Sequence, residues 1–387
     1  MSDAGANADG TPDTEARELL EALVSTPSPT TEEAACAEVL ASFLESHGRT
    51  VFVDEVGNVR APADDSALYT SHIDTVPGDI PVRIEDGEEG PELWGRGSVD
   101  AKGPLAALAV AAVRSGVSFV GVVGEEVDSR GARHLVEDRE APDAVINGEP
   151  SGADGITLGY RGILSGTYIH TSRSGHTSRP ENNAIQDAIA WWSTVERRFG
   201  GDGAFGAPGG PNGEGDGGGD DGDDGTPEAE AESGSSPETP VFERVTPKPV
   251  RIDGGVSDDG LAVETTLDVQ LRVPPSYATE DVREIVDGEL TSGTVNWTDA
   301  VEPTMQSPRT RVARAFRVAI RGEGGDPRLL RKTGTADMNV YAGEWDCPMA
   351  TYGPGDSALD HAPNERLPLG ELDRAVAVLE AVAEELT

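Results

Sequence analysis

With 387 residues the chain is long enough for two domains and a substantial core, and its 71 acids against 30 basic residues leave a formal charge of −41. That sign sets it against nucleic acid as a partner. No run approaches the roughly 18 continuous apolar residues of a membrane span, and residues 1–12 lack the apolar stretch of a signal peptide, so no membrane partner and a cytoplasmic location are expected. Only Lys102, Lys248 and Lys332 are lysines, and the acids are spread along the whole chain. Such a surface is similar to that of salt-adapted (halophilic) proteins, in which concentrated counterions screen self-repulsion. Cys36 and Cys347 read as small buried hydrophobes of a reducing compartment, with no disulfide.

In chain order, Ala16, Leu19, Leu20 and Leu23 predict a helix over 14–24, which Pro27 and Pro29 break. Thr30 or Thr31 can cap a second helix, 32–47, that ends at Gly48. Short strands at 51–53 and 59 precede a buried strand at 67–73 closed by Pro77-Gly78. An alanine-rich helix runs from Lys102 to Val113, a second buried strand over 119–123, a short helix after Gly131 and a third buried run from Ala144. This alternation predicts an α/β fold with a mixed, mostly parallel sheet and helices on both faces.

From 163 the order changes to strand 163–171, helix 182–198, strands 244–253 and 261–273, helix 279–289 and strand 294–298. That order, βαββαβ, is the ferredoxin-like α+β arrangement. Inside it, 201–240 holds eleven acids, thirteen glycines and no Lys or Arg, and is expected to be a disordered acidic, Gly-rich insert. The chain then returns to the first domain near 304, with helix 308–322, a strand near 347–352 and a last helix 369–386. The expected division is therefore 1–162 with 304–387, interrupted by 163–303.

Three apolar runs end in groups that bind metals, and ligand sites of open α/β sheets lie outside the carboxyl ends of the strands. On the first, His72 and Asp74 share a face, so the carboxylate can serve the imidazole's other nitrogen. The second ends in Gly124-Glu125-Glu126, where consecutive side chains diverge, so one Glu can ligate while the other stays free as a base. The third ends in Asn147-Gly148-Glu149-Pro150-Ser151. Asp100 stands just before a helix start, and its two oxygens can bridge two cations.

The succession of Ser71-His72-Ile73-Asp74-Thr75-Val76-Pro77-Gly78, then Gly95-Arg96-Gly97-Ser98-Val99-Asp100-Ala101-Lys102-Gly103, Gly124-Glu125-Glu126, Asn147-Gly148-Glu149-Pro150-Ser151 and His361-Ala362-Pro363 resembles the M20 metallopeptidases. These are di-zinc carboxypeptidases and N-acyl amino acid deacylases, and the likeness covers about 30–362. Within that group, 332–339 is most similar to hydrolases that release lysine or ornithine from an amino-group carrier protein, relatives of acetylornithine deacetylase.

The resemblance implies two divalent metal ions, zinc with cobalt or manganese as substitutes. His72 and Glu149 would bind one, Glu126 and His361 the other, and Asp100 would bridge them, followed by a cis peptide. Glu125 would be the general base and Asp74 would orient His72. His176 matches a lid histidine that polarises the scissile carbonyl across a homodimer formed through the lid domain. Arg272 matches a lid arginine that holds a substrate carboxylate, and Lys332 and Thr335 open a loop suited to the same end; Arg161 is a weaker candidate. His47, His134 and His170 are expected to be structural or surface residues.

The substrate implied is carrier-linked lysine or ornithine, with the carrier protein as partner. A small-molecule deacylase (acetylornithine deacetylase, succinyl-diaminopimelate desuccinylase or a dipeptidase) is the alternative. A binding protein without catalysis is disfavoured, because all five ligands, the base and the lid histidine are present.

Overall fold

The computed structural model describes residues 12–88, 90–176, 178, 180–200 and 240–387. The acidic insert expected at 201–240 lies outside them except for its last residue. The chain divides into two compact units, one comprising everything up to Gly162 together with Val301 onward, the other Ile163–Ala300. Among the described residues no helix is long and apolar enough to cross a membrane.

The first unit is built on a mixed sheet that has nine strands among the described residues. Its centre is parallel: Val117–Val122, Asp64–His72, Val145–Gly148 and Met349–Thr351 lie side by side. Val59–Ala61 and Phe52–Val53 extend one flank antiparallel. Gly155–Tyr160 extends the other, paired with Thr304–Met305 antiparallel and with Arg328–Lys332 parallel.

Successive residues of the central strands feed two different cores, as the period of two requires. Leu68, Val120 and Val145 pack with Leu135, Met338 and Tyr341. Tyr69, Phe119 and Ile146 pack into the larger core of the helices Thr14–Val24, Lys102–Ser115 and Leu369–Leu386. Burial on both faces is why these strands read as unbroken apolar runs. Each large side chain so buried contributes about 1.5–3 kcal/mol.

Helix Lys102–Ser115 is buried continuously from Lys102 to Ala112, which its alanines permit by letting it lie close to the sheet. Gly148 takes part in that close approach, since a Cβ there would stand 2.2 Å from Leu108 Cδ1. Gly116, at φ 80°, ends the helix in the left-handed conformation.

Two expectations change, and a further small sheet is present. Neither Thr30 nor Thr31 caps the second helix, which runs Ala34–Ser46 from Glu33 without a side-chain cap; the Thr30 hydroxyl donates instead to Asp74 Oδ2 at 2.8 Å. Both cysteines are free, but Cys347 is only partly buried. The strands Arg83–Gly87 and Gly90–Trp94 form a hairpin that joins Arg366–Pro368 in a separate three-stranded sheet. This hairpin carries charge and exposure where a strand signal needs alternation, so periodicity does not reveal it.

In the second unit the strands stand in the order Thr246–Val256, Ala262–Val273, Gly162–Arg173, Thr294–Val301. Helices Ala184–Phe199 and Thr279–Gly288 complete βαββαβ. A core of its own, including Leu164, Tyr168, Trp191, Val269, Leu271 and Val286, holds this unit together.

Leu108, fully buried between helix and sheet, gives the measure of the first unit's packing. Leu108→Ala is expected to lower the unfolding free energy by about 2–5 kcal/mol in denaturant titrations; a loss under about 1 kcal/mol would show that this layer is loosely packed.

Candidate metal centre

Three parallel neighbours deliver acids or a histidine to one edge of the sheet. His72 ends the strand Asp64–His72, Glu125 and Glu126 follow Val117–Val122, and Glu149 follows Val145–Gly148. Asp100 arrives just before helix Lys102–Ser115 through a cis Asp100–Ala101 peptide. His361 arrives from a turn in which its own φ is 61°, in the left-handed region.

The five residues form two groups, each with one ligand atom per residue and all such atoms within 4.8 Å: His72, Asp100 and Glu149, and Asp100, Glu126 and His361. His72 Nε2 lies 3.2 Å from Asp100 Oδ1 and 3.9 Å from Glu149 Oε1. His361 Nε2 lies 3.2 Å from Asp100 Oδ2 and 3.0 Å from Glu126 Oε2. Asp100 thus presents one oxygen to each group.

Asp74, fully buried, organises what surrounds them. His72 Nδ1–H donates to the Asp74 carbonyl oxygen at 2.9 Å, while the Asp74 carboxylate is 3.6 Å from that nitrogen. The closer orienting contact to His72 therefore comes from the main chain of Asp74. Its carboxylate accepts the N–H of Glu125 at 3.1 Å, the N–H of Glu126 at 3.2 Å and the Thr30 hydroxyl. The Glu125–Glu126 turn is pinned by that one side chain.

With Nδ1 donating, Nε2 of His72 points at carboxylates, an arrangement that is stable only with positive charge on the ring or between the groups. Burial opposes the imidazolium, yet the Asp100 and Asp74 bonds hold its pKa well above the usual value. Burial raises Glu125 well above the carboxylate range, with the Glu149 charge adding to it. Burial also pushes Glu149 up to about 8, against the pull of His72 and Lys332. The Asp100 hydrogen bond lifts His361 to about 9.

Glu126 Oε1 is buried and has no hydrogen-bond partner among the described residues. Crowded, buried carboxylates, an orphaned ligand oxygen and a nitrogen–oxygen donor set are what divalent cations neutralise, so these residues fit two metal ions.

Lys332 ends the strand Arg328–Lys332, beside Gly155–Tyr160; burial pushes Glu149 and Asp360 up, to about 8 and about 7, and the Lys332 charge offsets part of that rise. Thr335 follows two residues before helix Asp337–Glu344. Arg161 Nε donates to the Thr333 carbonyl at 2.8 Å, which anchors that segment.

His176 and Arg272 belong to the second unit. His176 Nδ1 lies 2.8 Å from the Ser178 hydroxyl and 3.2 Å from the Ser178 N–H. Arg272 faces away from the core that Leu271 and Val273 enter, in register with Thr246. His47, His134 and His170 each lie beside a local carboxylate, of Glu15, Asp54 and Asp187 respectively.

Sequence reasoning missed four residues of this region. Thr30 holds Asp74. Asp337, buried beside the cluster, is pushed up to about 6 chiefly by that burial. Lys102 Nζ donates to the carbonyls of Leu23 and Thr26 at 2.9 and 2.8 Å, tying the first helix to the Asp100 segment. Glu365 binds the main chain next to Asp100. Scarcity was the one signal available, since Lys102 is one of three lysines in the chain.

The profile of Peptidase family M20/M25/M40 matches residues 68–385. A LysW-lysine hydrolase of Deinococcus radiodurans is 38% identical over 385 residues, covering 95% of this chain and 96% of that protein. A protein of Thermococcus kodakarensis, provisionally named LysW-lysine/LysW-ornithine hydrolase, is 37% identical over 374 residues, covering 95% and 91%. In fold, the chain is similar to the M20 family metallo-carboxypeptidase Sso-CP2 of Sulfolobus solfataricus, with TM-score 0.72 at 18% identity over 97% of this chain and 99% of that one. The chain belongs to peptidase family M20/M25/M40.

Proposed function

We propose that this chain, a metal-dependent hydrolase of amide bonds, releases lysine, ornithine or both from the γ-glutamyl terminus of an amino-group carrier protein, as a step of lysine and arginine biosynthesis. The observation that carries this reading is its 38% identity, over 95% of its length, to a protein named LysW-lysine hydrolase. The substrate is then itself a protein partner, and the enzyme works in a salt-rich cytoplasm, which suits its charge of −41.

His72, Asp100 and Glu149 hold one divalent ion in this reading, and Asp100, Glu126 and His361 the other. Zinc suits the donor set best, with cobalt or manganese as substitutes. Such ions, when bound, polarise the scissile carbonyl and make water a stronger acid.

The remaining steps fall to the side chains. Glu125 accepts a proton from the attacking water on a carboxylate oxygen and delivers it to the leaving α-amino nitrogen. The water oxygen joins the carbonyl carbon, the C–N bond breaks, and the proton count closes. Asp74 keeps Glu125 and Glu126 in register by binding both of their N–H groups.

His176 donates from Nε2 to the developing oxyanion, a kind of contact worth about 2.7–4 kcal/mol. Arg272, Lys332 and Thr335 bind the α-carboxylate of the amino acid being released. Residues 163–303 act as a lid and as the surface of a homodimer. Support for His176, Arg272 and the lid is the family resemblance of their sequence motifs.

Base and ligand separate by mutation. Glu125→Gln is expected to keep two equivalents of metal by elemental analysis while kcat falls by at least about 10²-fold, whereas Glu126→Ala loses one equivalent. A Glu125→Gln enzyme with most of its kcat would remove Glu125 from the role of base.

The substrate is tested with metal-loaded protein at high salt, offered carrier-linked lysine, carrier-linked ornithine and acetylornithine. The carrier forms are expected to give the higher kcat/KM. Lys332→Ala should raise KM for carrier-linked lysine far more than it lowers kcat, because it removes binding common to ground and transition states. A clear preference for acetylornithine, with KM unmoved by Lys332→Ala, would make the enzyme a small-molecule deacylase.

A further inference from the structure

The segment that carries Asp100 is short of local hydrogen-bond partners. Residues 95–100 form tight turns in which Gly97 adopts φ 81° and a Cβ would come within 2.6 Å of Thr75. Three of the segment's N–H groups converge on one side chain 265 or more positions away. Glu365 Oε1 accepts from Val99 N at 2.9 Å and Asp100 N at 3.0 Å, and Oε2 accepts from Gly97 N at 3.0 Å. Arg96 Nη1 adds a fourth bond to Oε2 at 2.8 Å.

Glu365 is completely buried. Each of these four bonds goes to residues 96–100. Bonds to an ionised acceptor are roughly twice as strong as neutral ones, so this carboxylate grips the segment firmly.

The same residue is tied to the other ligand loop. It lies four positions after His361, and its neighbour Arg366 pairs with Trp94 at the start of the Asp100 segment. Arg96 also donates to the Ala362 carbonyl, directly after His361, at 3.4 Å. One buried carboxylate thus joins the loop of the shared ligand to the loop of a ligand belonging to the second group alone.

We propose that Glu365 is a positioning residue of the metal centre: by fixing the Asp100 main chain it aims the one carboxylate that both ligand groups share. The proposal rests on reading those groups as metal sites and is independent of which amide is cleaved.

Metal uptake is the readout. Metal-free full-length protein, wild type and Glu365→Gln, is titrated calorimetrically with Zn²⁺, and Co²⁺ is added in parallel to follow its visible absorption. Glutamine keeps the size but offers one acceptor oxygen and turns an NH₂ toward N–H donors. Affinity at both sites is expected to fall about 10–100-fold, with an altered Co²⁺ spectrum, whereas a ligand of one group alone affects one site. Glu365→Asp, which keeps the charge but shortens the reach, should lose less; it decides on the same readout if the glutamine protein does not fold. Unchanged affinity for two Zn²⁺, even with a lower melting temperature of the metal-free protein, would make Glu365 a structural residue only and overturn the proposal.

Discussion

Everything near the active edge of this molecule answers one constraint: several carboxylates are buried together with too little positive charge from the protein. His72, His361 and Lys332 are the cationic side chains that act on Glu149, Glu126 and Asp100. Burial consequently drives Glu125 and Glu149 above their ordinary range, and one Glu126 oxygen has no partner among the described residues. A fold selected only for stability would replace such groups with apolar ones, since an uncompensated buried charge costs several kcal/mol. Their presence makes sense as a socket for cations.

The α/β architecture builds that socket economically. Parallel strands bring His72, the Glu125–Glu126 turn and Glu149 to one edge, each at the end of an apolar run that is anchored in two cores. Rigid strands alone do not fix side-chain direction, and two further carboxylates do so through the main chain. Asp74 takes the N–H groups of Glu125 and Glu126. Glu365 takes those of Gly97, Val99 and Asp100. The acids of the site thus divide into those that crowd against one another and the two histidines and those that hold main-chain N–H groups in place.

The same division separates what is legible in the sequence from what is not. His72, Glu126 and Glu149 were legible because each closes a recognisable buried run at the edge where ligands bind. Asp100 and His361 stood out through their motifs, and the βαββαβ order of the second unit followed from periodicity. Glu365 and Thr30 carried no such mark, and Lys102 only its scarcity and its place in the Asp100 motif: their partners are main-chain atoms or side chains 44 to 269 positions away. The 83–94 hairpin was hidden for another reason, since apart from the buried Leu93 its strand residues are exposed or half-buried and show no alternation. Asp74 meets His72 through its carbonyl, while its carboxylate serves the turn after the neighbouring strand.

The proposed metal centre depends on Asp100 being shared by two ions. Anomalous diffraction at the zinc edge, from crystals of the metal-loaded protein, tests this most directly. Two peaks about 3.5–4 Å apart are predicted, one within about 2.0–2.2 Å of donor atoms of His72, Asp100 and Glu149 and the other within the same reach of Asp100, Glu126 and His361. A single peak, or a pair that leaves Asp100 uncoordinated, would contradict it.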